Sequence, residues 1–222
     1  IFKKGNSSIL DTYRPISLLN CMYKVFASII HQRIEPIINP KLQRTQYGFR
    51  KKKGTAQAIH IIRRSRDTSR RSGINGSMRM RDGEKAFDKV THQALHITLR
   101  RLNIPDKLVN MIMALYNNPT FHIESHNAKS NTYTQHTGIR QGCPLSPYLF
   151  LIVMTAMFHD IHAEEATAHR PVHANFDEVL YADDTVCISE DTRAINRKLA
   201  RIEKHGLRYG LRVNKAKCEV LT

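Results

Sequence analysis

The stretch from Tyr148 to Phe158 is apolar at every position except Thr155, and it constrains the fold more than any other part of the chain. It is too short to cross a bilayer, which takes about 20 apolar residues. Ser146 and Pro147 ahead of it read as an N-cap and a first helical residue. The helix they open, roughly Pro147 to Ile161, is apolar all round, so it belongs in the middle of a core with other elements packed on every side. A chain of 222 residues can supply that core as one domain or two small subdomains.

Around this helix the patterns mix without regular alternation. Met22, Val25, Phe26, Ile29 and Ile30 recur at helical spacing and predict a helix that buries this face and ends at Pro36 and Pro40. Thr55 is a candidate N-cap for a second helix through Ala58, Ile59 and Ile62, before Arg63, Arg64, Arg66, Arg70 and Arg71 take over and Gly73 and Gly76 break the chain. A short alternating segment runs from Ser77 into Asp82. Helical patterns follow at Leu95, Leu99 and Leu102, and again at Leu108, Met111, Ile112, Leu115 and Tyr116. Thr120 to Gln135 alternates about a turn at Asn127 to Ser130, which predicts a hairpin. Ile195, Leu199 and Ile202 mark a last helix, and Val213 to Thr222 a closing strand. The expectation is an α+β fold with an antiparallel sheet.

The formal net charge of +16 favours a polyanionic partner, above all nucleic acid, with a membrane surface as the weaker alternative. Cys21, Cys143, Cys187 and Cys218 lie far apart, without the spacing of a zinc site or the density of a secreted disulfide framework. That pattern suits a reducing, intracellular setting. Ile1 is not an initiator methionine and Thr222 follows a strand-like run, so both ends are expected to be cuts in a longer polypeptide.

The sharpest chemical signal is Tyr181-Ala-Asp-Asp, flanked by the apolar runs Val179 to Ala182 and Thr185 to Ile188. Successive strand residues point to opposite faces, so both acids reach one site only if the chain turns there, as a hairpin would require. A metal cation would relieve their repulsion; a solvated turn, where Asp is common, accounts for them equally well. Asp82 supplies a third carboxylate after a strand-like segment. Three oxygen donors from two strands suit two magnesium ions, with Mn2+ as the substitute, better than zinc. His159 and His162 with Glu164 and Glu165 lack the spacing of a zinc-protease helix and read as the polar end of the apolar helix.

The ordered blocks Tyr13-Arg-Pro-Ile-Ser-Leu-Leu, Gln46-Tyr-Gly-Phe-Arg, Asp82-Gly-Glu-Lys-Ala-Phe-Asp, Gly138-Ile-Arg-Gln-Gly-Cys-Pro-Leu-Ser-Pro, Tyr181-Ala-Asp-Asp and Gly210-Leu-Arg-Val-Asn-Lys-Ala-Lys span nearly the whole chain. Together they resemble the reverse transcriptases of LINE-type (non-LTR) retrotransposons. The resemblance implies a right-hand polymerase with fingers (1–76) and palm (77–222, with a fingers insertion around 100–137), an antiparallel palm sheet packed on helices, and the thumb absent. It implies an RNA-directed DNA polymerase that adds deoxynucleoside triphosphates to a DNA primer on an RNA template, in the nucleus of a eukaryotic host, with no membrane partner. Asp82, Asp183 and Asp184 match the family's metal-binding carboxylates. Phe87 matches the residue that excludes a 2′-hydroxyl, although a phenylalanine there also serves as ordinary core. Arg14 with Lys3 or Lys4 matches the cations that grip the triphosphate. Gln141 and Gly142 match the loop under the incoming nucleotide, where glycine permits close approach. Lys217 matches a lysine that protonates the departing pyrophosphate.

The chain departs from the family pattern in one place above all. Arg79 and Arg81 interrupt the strand that leads into Asp82, and Gly83 stands where a large residue is usual. Two readings of different class follow: a working polymerase, or a catalytically inactive retroelement relic that keeps non-specific nucleic-acid binding.

Overall fold

The computed structural model describes residues 1–221 except 4, 10–11, 72–76, 82–84, 126–127, 165–175, 190 and 214–217, and only the backbone of 77–81, 125 and 219–221. In chain order the elements are α1 (Cys21–Ile38), α2 (Thr55–Arg71), β1 (Ser77–Arg81), α3 (Ala86–Lys89), α4 (His92–Arg101), α5 (Asp106–Ala114), β2 (Thr120–Phe121), β3 (Glu124–Ser125), β4 (Ala128–Lys129), β5 (Tyr133–Thr134), α6 (Ser146–Glu164), β6 (Glu178–Tyr181), β7 (Asp184–Ser189), α7 (Thr192–Arg208) and β8 (Glu219–Leu221).

The all-apolar helix is α6, and it is central. Leu149, Phe150, Leu151, Ile152, Val153 and Phe158 have no exposed surface, and α6 touches α1, α4 and α7. Leu145 rather than Ser146 caps it, because the N–H groups of Tyr148 and Leu149 both donate to the Leu145 carbonyl at 3.1 Å. Ser146 instead turns its hydroxyl into the core, 3.5 Å from the Tyr116 hydroxyl. No helix among the described residues is long and apolar enough to cross a membrane.

α1 corrects the sequence reading twice. Its buried residues are Ala27, Ile30, Ile34 and Ile38, whereas Met22 is 75% and Val25 54% exposed and Phe26 and Ile29 face solvent as well. The helix carries two apolar stripes, and only Ile30 of the expected one reaches the core. It also runs through Pro36, whose fixed φ suits a helix and whose missing N–H costs one bond near the end. In α2 the cap is Gly54, not Thr55: the Gly54 carbonyl accepts from Ala58, and Gln57 Oε1 accepts from the Gly54 N–H at 2.6 Å. Ile61 and Ile62 pack inward while Ile59 stays exposed.

The main sheet is antiparallel throughout, in the order β6-β7-β1-β8. Leu180 and Cys187 join the main core with residues of α6 and α7, and Val179, Val186 and Ile188 join Ala58, Ile61 and Ile62 of α2 in a second cluster. The sheet is therefore covered on both sides, as its short apolar strands require. The expected hairpin between α5 and α6 is present as two nested ladders, β2 with β5 and β3 with β4. Of the turn expected at Asn127 to Ser130, Ala128 and Lys129 form β4, and residues 126–127 lie outside the described residues. At the rim of α6, Asp160 accepts from Arg101 at 3.1 and 2.5 Å and from the Tyr209 hydroxyl at 2.6 Å. Burial pushes this carboxyl up, but the three donors outweigh it and hold it below the usual range.

Candidate active site

The strands β6 and β7 meet in a tight turn in which Tyr181 pairs with Asp184 across Ala182 and Asp183. Asp183 is half-buried and Asp184 exposed, so both adjacent carboxylates sit at one end of the sheet, as the hairpin reading requires. Ala182 is left-handed, with φ at +56°. That conformation costs a residue with a Cβ roughly 1–2 kcal/mol, and something must hold it.

Gln46 does. It is 2% exposed, its Oε1 accepts from the N–H of Ala182 at 3.0 Å and of Gly48 at 2.9 Å, and its Nε2 donates to the Ala182 carbonyl at 3.2 Å. The backbone beside it runs along β6: Tyr47 N–H donates to Leu180 O at 2.8 Å, and Leu180 N–H to Thr45 O at 2.9 Å. A Cβ at Gly48 would lie 2.3 Å from Ala182 N, so only glycine lets the two segments meet. The pattern of the Gln46-Tyr-Gly-Phe-Arg block assigns neither Gln46 nor Gly48 a role.

The next residue, Phe49, meets Phe87 edge-on with ring centroids 6.0 Å apart, and Phe87 also stacks on Phe150 at 4.7 Å. Phe87 is half-buried, which is compatible with both roles proposed for it. Behind it the chain folds back on the Gly138 block. Gly138 N–H donates to Val90 O at 2.7 Å and Ile139 N–H to Phe87 O at 2.8 Å. Gln141 Nε2 then donates to Asp88 Oδ1 at 2.8 Å. Gly142, with φ at +106°, does permit a close approach, but the approach is to the Ser17 carbonyl, 2.8 Å from where a Cβ would stand. Arg140 lies over the ring of Tyr23, 5.2 Å from its centroid; burial pushes the Tyr23 hydroxyl up to about 12.

Arg14 is exposed on a segment pinned at both ends. Its N–H donates to Ile1 O at 2.7 Å, and Ile16 bridges Gln141, with Ser17 N–H donating to Gln141 O at 2.7 Å. The contacts thus run unbroken from the Arg14 segment through Gln141, Asp88, Phe87 and Phe49 to Gln46 and the acid turn. Asp82, Lys4 and Lys217 lie outside the described residues. β1 ends with Arg81 opposite Thr185, next to Asp184 in the chain.

Among the described residues one group of metal-ligand types converges within 4.8 Å: His162, Asp177 and Glu178. It lies at the start of β6, the end away from the acid turn. Lys198, 5% exposed, already places its ammonium against both carboxylates, and His162 Nε2 stands 3.2 Å from Glu178 Oε1. The group is a charge-balanced ion network, and Glu164 nearby pairs with Lys204 at 2.9 Å and His205 at 3.1 Å.

The family model described as reverse transcriptase (RNA-dependent DNA polymerase) matches residues 1–222. A retrovirus-related Pol polyprotein from the type-1 retrotransposable element R2 of Nasonia vitripennis is 29% identical over 94% of this chain and 20% of its own length. The RNA-directed DNA polymerase from the mobile element jockey of Drosophila melanogaster is 26% identical over 100% of this chain and 25% of its own length. The chain therefore spans a quarter or less of these relatives. Among solved structures, telomerase from Candida albicans, in complex with a fragment of telomeric RNA, superposes with a TM-score of 0.67 at 16% identity, covering 90% of this chain and 35% of that one. The likeness shows the fold, a polymerase fingers-and-palm arrangement. With the family model matched end to end and the relatives drawn from R2 and jockey elements, the chain belongs to the reverse transcriptase (RNA-dependent DNA polymerase) family, on its LINE-type, non-LTR branch.

Proposed function

We propose that this chain carries the nucleotide-adding centre of an RNA-directed DNA polymerase, with residues 1–76 as fingers and 77–222 as palm. The observation that carries the proposal is the pair Asp183 and Asp184 on a β6–β7 turn whose backbone is held by Gln46. The register of β1 supports it, since Asp82 is the residue that follows Arg81, and Arg81 stands opposite Thr185.

The donor chemistry fits magnesium: adjacent carboxylates on a turn at the protein surface are hard oxygen ligands that leave room for water. Asp183, Asp184 and Asp82 would hold the ions, with Mn2+ as a substitute. When bound there, two such ions would supply activation of a primer 3′-hydroxyl and stabilisation of the leaving pyrophosphate. The protein's own residues do the positioning. Arg14, with Lys4, binds the triphosphate of a deoxynucleotide; the Gln141–Gly142 loop supports the nucleotide and template base; the Phe87 ring closes the space that a 2′-hydroxyl would need. Lys217 is the candidate proton donor to pyrophosphate. Template RNA and DNA primer are the partners, and the nucleus the expected compartment.

The second reading, an inactive relic that still binds nucleic acid through its charge of +16, is favoured by Arg79, which stands opposite the fully buried Cys187. Primer extension on an RNA template with and without Mg2+ decides. Magnesium-dependent extension that Asp183→Asn abolishes, with template binding intact, supports the polymerase. Binding without extension in the unaltered protein supports the relic.

A further inference from the structure

Gln46 is a buried polar side chain whose entire hydrogen-bonding capacity but one donor is spent on two backbone units. The amide has one usable orientation: its oxygen must face the N–H groups of Ala182 and Gly48, and its NH2 must face the Ala182 carbonyl. Both the N–H and the C=O of Ala182 are thereby engaged by one side chain, so the peptide planes on either side of Ala182 are fixed in direction. The second of those planes is the peptide that links Ala182 to Asp183. A left-handed alanine relaxes readily toward the right-handed or extended region when nothing holds it, and that rotation would swing Asp183 away from Asp184.

We propose that Gln46 is a positioning residue for the Asp183–Asp184 turn, and that Gly48 works with it by allowing the two backbones to touch. The proposal rests on the polymerase reading above. The same short segment continues into Phe49, itself left-handed at φ +56°, which lies against Phe87. One clamp therefore ties the acid turn to the ring proposed to screen the sugar, through residues 136 positions apart in sequence. Gln46 touches no reacting atom; it acts through Ala182.

Two variants of the full chain test this. Gln46→Met keeps the volume and removes all three hydrogen bonds. Gly48→Ala keeps Gln46 and forces a Cβ into Ala182 N. Each is compared with the unaltered protein and with Asp183→Asn in primer extension and in Mn2+ binding followed by electron paramagnetic resonance, with template binding as the check on folding. Displacing a reacting group by about 1 Å can cost about 10²-fold, so both variants should lower kcat by about 10- to 100-fold with KM for deoxynucleotide little changed, the signature of a lost transition-state arrangement. Mn2+ affinity should weaken in parallel. Unaltered kcat and Mn2+ affinity in Gln46→Met, with template binding retained, overturn the proposal. If the unaltered chain extends no primer but binds Mn2+ through Asp183, the polymerase reading fails, and the Mn2+ titration of Gln46→Met still decides the role of Gln46.

Discussion

Gln141 Nε2 donates to Asp88 Oδ1 at 2.8 Å, and this one bond joins two blocks of the sequence that are 53 residues apart. The backbone around it is stitched as well, through Gly138 to Val90 and Ile139 to Phe87. Asp88→Ala should therefore free the Gln141 side chain without unfolding the loop. A hydrogen bond to a charged group is worth about 1.5–3 kcal/mol, and with Asp88 half-buried the cost to stability should sit near the lower end, roughly 1 to 2 kcal/mol. If the loop supports the incoming nucleotide, KM for deoxynucleotide rises while kcat holds. Steady-state primer extension measures this; an unchanged KM removes the loop from nucleotide binding.

Phe87 lies between two rings, edge-on to Phe49 and stacked on Phe150. Phe→Ala in a core costs about 3–5 kcal/mol, and a half-buried Phe87 should lose less than that. Phe87→Ala is expected to lower the melting temperature and also to admit ribonucleotides, with deoxynucleotide use reduced less. A drop in stability with discrimination unchanged would make Phe87 a packing residue alone.

How far the sequence carried these conclusions depended on the kind of interaction. α6 was legible because a helix apolar on every side has only one place to go. α1 was not, since Met22, Val25, Phe26 and Ile29 form one helical stripe and Ala27, Ile30, Ile34 and Ile38 another; periodicity finds both and cannot rank them. The acid turn followed from two apolar runs around adjacent carboxylates. Gln46 did not, because a side chain that reads a distant backbone leaves no periodic trace. Its faint signal is Gly48 two residues on, a glycine with no turn pattern to explain it. Asp88 was likewise in plain view as the last acid of its block, yet its partner lies in another.

The network at the start of β6 should set the pH dependence of stability. Burial and the neighbouring Glu178 push the Asp177 carboxyl up. Burial works the same way on Glu178, but His162 and Lys198 overcome it and hold that group below the usual carboxylate range. The hydrogen bond to Glu178 raises His162 above its ordinary value. A raised imidazole contributes stability that is complete below its unfolded pKa and lost as pH rises through the folded one; a raised carboxyl likewise contributes at low pH and loses that contribution as pH rises through its folded value. Both act in one direction, so the melting temperature should fall as pH rises from the ordinary carboxylate range through the raised Asp177 and His162 values, and His162→Gln should flatten the upper part of that fall. Glu178 acts in the opposite sense, losing its contribution only as pH drops below its unfolded value through the depressed folded one. Lys198→Met leaves two buried carboxylates without their cation and should cost about 3–5 kcal/mol, read from thermal or denaturant unfolding.

The strand that leads to Asp82 carries two arginines among its five residues. Arg79 stands opposite Cys187 and Arg81 opposite Thr185, while Met78 and Met80 stand opposite Ile188 and Val186. Cys187 is fully buried and Thr185 is 1% exposed, with Cys187 in the main core beside residues of α6 and α7. The arginines thus share their rows with the interior side of the sheet. A guanidinium held there without a carboxylate partner costs several kcal/mol, a large part of a typical total stability of about 5–15 kcal/mol. Replacing both with leucine restores the apolar pattern of a strand covered on both sides. The double variant is expected to melt clearly higher and to keep its template binding. An unchanged melting temperature, or a fall with new aggregation, would mean that both guanidiniums reach solvent by snorkelling along their stems, and that the relic reading loses its main support.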